Sequence, residues 1–179
     1  MENNTRLVES LLMKTALNDR KAFEKLYILT SPRLFGLAFL MLKKKELAEE
    51  VLQDSFVKIW YNAGQYHHER GAPLAWMTSI VRYRAIDLIR SQKPMLDIDQ
   101  VPETLDVLEP TYKQVSSHSE LDECLDELQE KHKKSVLMAF YEGYTHQELA
   151  SRLSVPLGTM KSWIRRSLEK LKGCLDGLR

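Results

Sequence analysis

The chain has little of what small extracellular or membrane proteins depend on. It has only two cysteines among 179 residues, and these two, Cys124 and Cys174, are 50 positions apart. That spacing matches neither a zinc site nor a disulfide framework, so we expect unpaired thiols in a reducing compartment. The amino-terminal residues lack the apolar core of a signal peptide, and the longest apolar run, near Leu34–Leu42, is too short to cross a bilayer. We therefore expect a cytoplasmic protein with no membrane contact of its own.

Residue patterns typical of catalysis or cofactor binding are also missing. There is no nucleophile beside a base, no glycine-rich phosphate loop and no cluster of metal ligands. Glu49, Glu50 and Asp54 are the nearest thing to an acidic site, but helical spacing brings no histidine or cysteine to them. His67 and His68 are adjacent without further ligands at useful spacing. We predict that the protein is not an enzyme and has no metal or cofactor.

Charge is distributed in blocks, although the formal net charge is only +1. Residues 1–93 contain 15 basic and 10 acidic side chains, and residues 131–179 contain 10 basic and 4 acidic ones. Between these blocks, residues 94–130 contain 1 basic and 11 acidic side chains. Basic blocks favour polyanionic partners, whereas the acidic tract would repel nucleic acid and favour a basic surface.

Apolar residues recur almost everywhere at helical spacing, and no run alternates like a strand. The pattern predicts a helix that begins at Asn18-Asp19, a restart at Ser31-Pro32, and further helices over 46–63 and 73–91. It stops after residue 92, where Pro94, Pro102 and Pro110 punctuate an acidic stretch, and it resumes near residue 119. The sequence predicts an all-α protein of two small domains, 1–92 and 119–179, joined by a flexible acidic linker, 93–118.

The last third of the chain has the pattern of a helix-turn-helix. Thr145 and Glu148 form a capping box at a helix start, and Pro156 suits the beginning of a second helix. The predicted buried stripe of this second helix is Leu157, Met160, Ile164, Leu168, Leu171 and Leu175. On the opposite side we expect Thr159, Ser162, Trp163, Arg166 and Lys170, with Lys161 and Arg165 at the margins. An apolar back and a basic front are typical of a recognition helix.

Two earlier helices have a similar division into faces. The predicted core residues are Ala48, Val51, Leu52, Phe56 and Ile59 in the first, and Leu74, Met77, Val81, Ala85 and Leu88 in the second. Glu50, Gln53, Asp54 and Lys58 then lie outside on the first helix. On the second, Ser79, Arg82, Tyr83 and Arg90 cluster on the reverse face, where an aromatic ring among arginines suits stacking with bases.

Three motifs, in order, resemble the extracytoplasmic-function sigma factors, the smallest class of bacterial RNA polymerase sigma subunits of the sigma-70 family. The first is Ala48-Glu49-Glu50 with Gln53-Asp54, Phe56 and Trp60; the second runs from Trp76-Met77 through Ile80-Val81-Arg82-Tyr83 to Ile86-Asp87 and Arg90. The third joins Glu148-Leu149-Ala150 to Gly158-Thr159-Met160-Lys161-Ser162. The resemblance covers about residues 15–92 and 119–176.

The resemblance implies a function for each part of the chain. It implies that residues 1–92 are sigma region 2, which binds core polymerase and opens the −10 element, and that 119–179 are region 4, which reads the −35 element. The residues that it assigns to the clamp coiled coil of the polymerase largest subunit are Glu50, Gln53 and Asp54. Those assigned to the −10 element are Tyr66, His67, Arg70, Ser79, Arg82, Tyr83 and Arg90. Those assigned to the −35 element are Thr159, Lys161, Ser162, Trp163, Arg165 and Arg166. The family also implies contact with the polymerase flap, an inhibitory anti-sigma factor, and a linker that threads toward the active-site cleft.

Some residues depart from the family pattern or allow two interpretations. Tyr83 replaces the usual asparagine, so an altered −10 preference is expected, and Trp163 stands where arginine is common. Trp76 is interpreted as a core aromatic, with a base contact as the alternative. The acidic face of residues 50–54 is alternatively an ordinary solvated surface, and the linker a plain tether.

Three other functions stay open at the level of the sequence. One is a stand-alone helix-turn-helix regulator, which would need a dimer and a palindromic site. Another is an enzyme with a DNA-binding tail, which no catalytic motif supports. The last is a bundle that only binds other proteins.

Overall fold

The computed structural model describes residues 2–92 and 120–178, so the predicted linker, 93–118, lies outside the described residues. Every regular element in these two ranges is helical, which confirms the all-α prediction. The chain divides into two compact units, Met1–Ile89 and Arg90–Arg179. Each unit is described by itself below.

Unit 1 is a small bundle of four helices. They are α1 (Glu2–Ala16), α2 (Arg20–Leu42), α3 (Lys45–Asn62) and α4 (Pro73–Gln92, whose last residues pass the unit boundary), with 3-10 turns at Ala63–Gln65 and His68–Arg70 before α4. The long helix α2 packs against both α1 and α3. The predicted start of α2 is confirmed, because Asp19 Oδ1 accepts bonds from the amides of Lys21 and Ala22 at 2.9 and 3.0 Å.

Helix α1 was not singled out from the sequence. It nevertheless buries Val8, Leu11, Leu12 and Thr15, which lie three, four and seven positions after Val8 and so share one helical face. It packs against α2, α3 and the first 3-10 turn. The amino-terminal residues therefore complete the core of unit 1.

The predicted restart at Ser31-Pro32 is wrong, because α2 continues through Pro32. A proline inside a helix removes one backbone hydrogen bond and usually breaks or kinks the helix. Here Leu26, Leu34 and Ala38 are buried on both sides of Pro32, whose ring is exposed. Tertiary packing therefore outweighs the local preference of proline to end the helix.

Helix α2 is also, by length and composition, apolar enough to cross a membrane, which the apolar run at residues 34–42 did not suggest. Its buried residues, Ala22, Leu26, Thr30, Leu34, Ala38 and Met41, follow one another at steps of three or four. Core helices of soluble bundles pass the same length and composition test. The contacts of α2 with α1 and α3 fit a core helix.

The predicted buried stripe of α3 is confirmed at all five positions: Ala48, Val51, Leu52, Phe56 and Ile59. In α4 the prediction holds for Met77, Val81 and Ala85, whereas Leu74 and Leu88 are only half-buried. Pro73 and Ile86 are buried in addition. The two ends of the α4 stripe were thus placed less well than its centre.

Unit 2 is built around one long helix. Its elements are α5 (Glu120–Asp126), α6 (Glu130–Tyr141), α7 (His146–Arg152) and α8 (Leu157–Gly177). Helix α8 packs against each of the other three. Its buried side chains, Met160, Ile164, Ser167 and Leu171, form the back of the helix.

The expectation of two unpaired thiols is wrong, because Cys124 and Cys174 form a disulfide. Cys124 is buried on α5 and Cys174 lies near the end of α8, and the two Cα atoms are 5.8 Å apart. Linear spacing could not reveal this pair, since the two cysteines are 50 positions apart and the segment between them contains α6, α7 and most of α8. Only the packing of α5 on α8 brings them together.

A tight turn joins α7 to α8 and contains one residue with left-handed backbone. Ser154 has φ 51°, a conformation that L-residues other than glycine, asparagine and aspartate rarely adopt. The amide of Val155 donates to the carbonyl of Ala150 at 3.0 Å, which closes the end of α7. Pro156 then precedes the first residue of α8.

Reduction of the disulfide should destabilise unit 2. A crosslink that closes a loop of this length restricts the unfolded chain, and its removal is expected to cost about 2–4 kcal/mol. Urea unfolding followed by circular dichroism, with and without dithiothreitol, measures the effect. A variant with Cys124→Ser and Cys174→Ser should have the same unfolding midpoint with and without dithiothreitol. Equal unfolding midpoints of the parent chain in both buffers would contradict the prediction.

Replacement of Ser154 by glycine should stabilise unit 2, because the left-handed conformation costs a side chain about 1–2 kcal/mol that glycine avoids. The larger entropy of glycine in the unfolded chain offsets part of this, leaving about 0.5–1 kcal/mol. We expect the melting temperature of Ser154→Gly to rise by a few degrees. Ser154→Val should lower it, because a β-branched side chain is poorly tolerated at positive φ. A lower melting temperature for the glycine variant would rule this out.

Candidate nucleic-acid interface

The predicted helix-turn-helix is present in unit 2. The hydroxyl oxygen of Thr145 accepts a bond from the amide of Glu148 at 3.1 Å, and the amide of Thr145 donates to Glu148 Oε2 at 2.6 Å. This confirms the capping box at the start of α7. Helix α7 packs directly against α8, so the beginning of α8 is held in a defined direction.

The outer face of α8 carries the residues predicted to read the −35 element. Lys161, Arg165 and Arg166 are exposed, while Thr159, Ser162 and Trp163 are half-buried. Met160 and Ile164, which alternate with them, are buried and fix the rotation of the helix. The helix therefore presents three cations and two hydroxyl groups along one half of its length.

Two of the leucines predicted for the buried face of α8 do not lie in the core. Leu157 is 39% and Leu168 51% exposed, and Ser167 is buried instead. Leu157 is the first residue of α8. Leu168 lines an apolar groove of about 430 Å³ on unit 2, together with Leu121, Leu125, Phe140, Leu171 and Leu175 among others. The prediction is therefore wrong for Leu157 and Leu168, and this groove was missed.

Trp163 contacts its own unit. Its ring centroid lies 4.9 Å from the imidazole of His132 on α6, with the two planes tilted by 45°. The tryptophan that replaces the common arginine of the family thus packs one side of its ring against α6 and remains half-buried.

The arginines of α8 are held loosely. Arg165 Nη1 lies 3.2 Å from Glu169 Oε1, but both side chains are more than half exposed. Ion pairs of this kind at i,i+4 contribute at most a few tenths of a kcal/mol, so Arg165 can exchange Glu169 for a phosphate. Arg166 lies at the edge of a small cavity that Leu128, His132, Ser167 and Lys170 also line. Lys170 donates to the carbonyl of Glu127 at 2.6 Å, which directs it away from the outer face.

The loop before α4 contains three of the residues predicted for the −10 element. Tyr66 donates its hydroxyl to the carbonyl of Gly71 at 3.1 Å and packs edge-on against Trp76, with centroids 5.9 Å apart. Burial, and secondarily the negative charge of Glu9, raise the pKa of the Tyr66 hydroxyl above its ordinary value. Tyr66 is therefore a neutral, half-buried residue that shapes the loop, whereas His67 and Arg70 are exposed.

The outer face of α4 carries the other four residues predicted for the −10 element. Tyr83 is 62% exposed, and the guanidinium of Arg82 lies 5.9 Å from its ring centroid, within the range of a cation–π contact. The hydroxyl of Ser79 donates to the carbonyl of Trp76 at 2.6 Å and so faces its own helix. Arg90 is exposed in the last turn. Trp76 is half-buried, so its ring is neither fully in the core nor free in solvent.

The acidic residues predicted to bind polymerase lie together on α3. Glu50 and Gln53 are exposed, and Asp54 is half-buried. Arg84 of α4, which the sequence reasoning missed, contacts two of them: its Nη2 lies 2.7 Å from Asp54 Oδ2 and 3.5 Å from Glu50 Oε1. Helical periodicity within α4 gives no signal for this contact, because it depends on where α4 lies relative to α3.

Within residues 2–92 and 120–178, no group of three or more histidine, cysteine, aspartate or glutamate side chains is arranged to hold a metal ion. His67 and His68 lie in the exposed loop before α4. The described surfaces offer hydrogen-bond donors, cations and aromatic rings.

Comparisons with known proteins agree with this arrangement. The family described as Sigma-70 region 2 matches residues 26–94, and the family described as Sigma-70, region 4 matches residues 118–171. The solved structure of CnrH in complex with the cytosolic domain of CnrY has a TM-score of 0.45 and 20% identity, over 96% of this chain and 98% of that chain.

Curated relatives match over nearly the whole chain. The ECF RNA polymerase sigma factor SigK of Mycobacterium sp. (strain KMS) is 31% identical over 94% of this chain and 90% of its own length. The protein of the same name from Mycobacterium ulcerans (strain Agy99) is 30% identical over 94% of each chain. These relatives therefore match both the region 2 part and the region 4 part of the chain. The chain belongs to the extracytoplasmic-function RNA polymerase sigma factors.

Proposed function

We propose that this sigma factor docks on core RNA polymerase through the acidic face of α3, reads the −10 element with α4 and the loop before it, and reads the −35 element with α8. The observation that carries this proposal is the outer face of α8. There Lys161, Arg165 and Arg166 are exposed while Met160 and Ile164 anchor the opposite face. A helix held in this way can enter the major groove with its donors toward the base edges.

Each residue of α8 has a defined task in this proposal. Arg166 donates two hydrogen bonds to a guanine edge, which discriminates by about 1–3 kcal/mol against other bases. Lys161 and Ser162 contact bases or phosphates nearer the start of the helix, and Arg165 binds a phosphate. Thr159 and Trp163 fill the groove beside them. Phosphate contacts supply affinity and register, and the base contacts supply specificity.

In unit 1 the proposal assigns base capture to aromatic and basic side chains. Extrusion of a base from the duplex costs a few kcal/mol, which stacking on an exposed ring can offset. Tyr83, with Arg82 beside its ring, offers such a surface on α4. His67 and Arg70, in the loop before α4, and Arg90, in the last turn of α4, are further exposed cations or donors. Tyr66 and Ser79 act through loop and helix geometry, because their hydroxyl groups are already bound to backbone carbonyls.

We further propose that residues 1–92 and 119–179 act as separate readers on a tether, 93–118. Two small readers on a flexible tether gain affinity only when a scaffold sets their separation, so the free protein should bind promoter DNA poorly. Core polymerase is that scaffold. We also propose that this chain acts in the cytoplasm. It has no catalytic activity, no cofactor and no membrane contact of its own in this proposal. An anti-sigma factor is the expected inhibitor, since the apolar groove of unit 2 and the cationic face of α8 are the surfaces that it would have to cover.

Run-off transcription tests the function directly. Fragments of bacterial genomic DNA are transcribed by core polymerase with and without the protein, and transcripts that depend on the protein reveal both the activity and its promoter motif. Binding of the free protein to those promoters, tightly and specifically without polymerase, would instead favour a stand-alone regulator.

Replacement of Arg166 by methionine should relax selection at one base pair of the −35 element. The loss of a bidentate contact is expected to reduce discrimination there by about 5- to 150-fold, because each 1.4 kcal/mol is tenfold. Competition transcription on templates that differ only in the −35 element measures it. Arg33→Met, the same change on α2 of unit 1, should leave −35 selection unchanged. An equal effect of both variants would remove Arg166 from the proposed contacts.

Replacement of Tyr83 by alanine should impair promoter opening and spare −35 recognition. Loss of base stacking costs about 1–3 kcal/mol, or about 5- to 150-fold in the population of open complex. Permanganate reactivity of the −10 thymines, on preassembled holoenzyme, reports opening independently of polymerase affinity. Tyr83→Phe should retain most opening, and Tyr61→Ala, which removes another exposed tyrosine, should retain it fully. Normal opening by Tyr83→Ala would contradict the stacking role.

A further inference from the structure

One arginine of α4 holds two carboxylates of α3. Arg84 Nε donates to Asp54 Oδ2 at 2.8 Å, and Arg84 Nη2 lies 2.7 Å from the same oxygen. Nη2 also lies 3.5 Å from Glu50 Oε1. Glu50 and Asp54 are one helical turn apart, so a single guanidinium bridges both side chains.

The exposures of the three side chains place the arginine underneath the carboxylates. The side chain of Arg84 is 25% exposed, while those of Asp54 and Glu50 are 45% and 52% exposed. In the described part of unit 1, Arg84 binds Asp54 through Oδ2 and Glu50 through Oε1. Both carboxylate side chains nevertheless remain about half exposed on α3, where Gln53 is also exposed.

We propose that Arg84 is a positioning residue for polymerase binding, which fixes the half-exposed carboxylates of Asp54 and Glu50 for a basic surface of core polymerase. The inference rests on the proposed docking role of α3. Flexible acidic side chains lose rotamer freedom when they bind, and that cost is removed if they are already held in the free protein. A guanidinium suits this task because its planar fork reaches two acceptors at fixed angles, which an ammonium does not.

The same contact sets Arg84 apart from the neighbouring residues of α4. Arg82 and Tyr83 lie on the face proposed to meet DNA, whereas the guanidinium of Arg84 is occupied by α3. Arg84 therefore joins the helix proposed to read the −10 element to the helix proposed to bind polymerase. Because partly exposed ion pairs contribute little to folding stability, its removal should leave unit 1 folded.

The test compares the affinity of full-length variants for core polymerase, measured by fluorescence anisotropy of labelled protein. Arg84→Met keeps the aliphatic stem and should weaken binding by about five- to tenfold, as expected for two released side chains. The loss should persist at about 0.3 M salt, where long-range charge effects are screened. Arg84→Lys should recover only part of the affinity. The matched control Arg33→Met should bind like the parent chain at that salt concentration.

A double-mutant cycle separates positioning from a merely structural role. Glu50→Gln with Asp54→Asn should weaken binding, and adding Arg84→Met to this pair should weaken it little further, while the melting temperatures stay close to that of the parent chain. If Arg84→Met lowers affinity equally with and without the carboxylates, positioning is excluded. If the carboxylate variants weaken binding and Arg84→Met alone does not, the docking role of α3 stands and the role of Arg84 is wrong. If none of them weakens binding, the docking role itself is wrong.

Discussion

Unit 2 depends on the packing of α8 against the three shorter helices. Met160, Ile164 and Leu171 are buried along the back of α8, and α5, α6 and α7 each contact this helix. Because burial on one side sets the rotation of a helix about its axis, the same contacts decide that Lys161, Arg165 and Arg166 lie outside. A reader of DNA needs rigid placement of a few donors, and the core of unit 2 supplies it. The disulfide between α5 and the end of α8 closes the same bundle covalently.

Unit 1 carries an acidic surface and a basic surface on two adjacent helices. The acidic residues lie on α3, and Arg82 with Tyr83 lies on α4. Arg84 of α4 turns toward α3, with its Nη2 at 2.7 Å from Asp54 Oδ2. Opposite charges are thereby paired where the two helices meet, beside the faces proposed for polymerase and DNA. In this arrangement one small bundle can present surfaces of opposite sign to two partners.

Periodicity predicted the interior better than the ends of elements. The centres of the stripes on α3 and α4 and the capping box of α7 were found, because each is a local pattern with a local physical cause. Three predictions were wrong because no local pattern decides them. They are the helix restart at Ser31-Pro32, the burial of Leu168 and the unpaired thiols. Each depends on what lies across a helix interface: packing carries α2 through Pro32, Leu168 faces a groove, and Cys124 meets Cys174. A chain of local patterns contains no information on which helices are neighbours.

The sequence by itself determined the all-helical class, the order of the three motifs and the charge blocks, and it supplied the residues proposed for contact with polymerase and DNA. These follow from hydrophobic spacing, capping chemistry and side-chain charge, which are properties of nearby positions. Only the tertiary structure decided that Trp163 packs on His132 and that Arg84 binds α3. It also decided that the hydroxyl groups of Tyr66 and Ser79 donate hydrogen bonds to backbone carbonyls. Such contacts join atoms whose distance is set by the packing of whole helices, so no spacing along the chain encodes them.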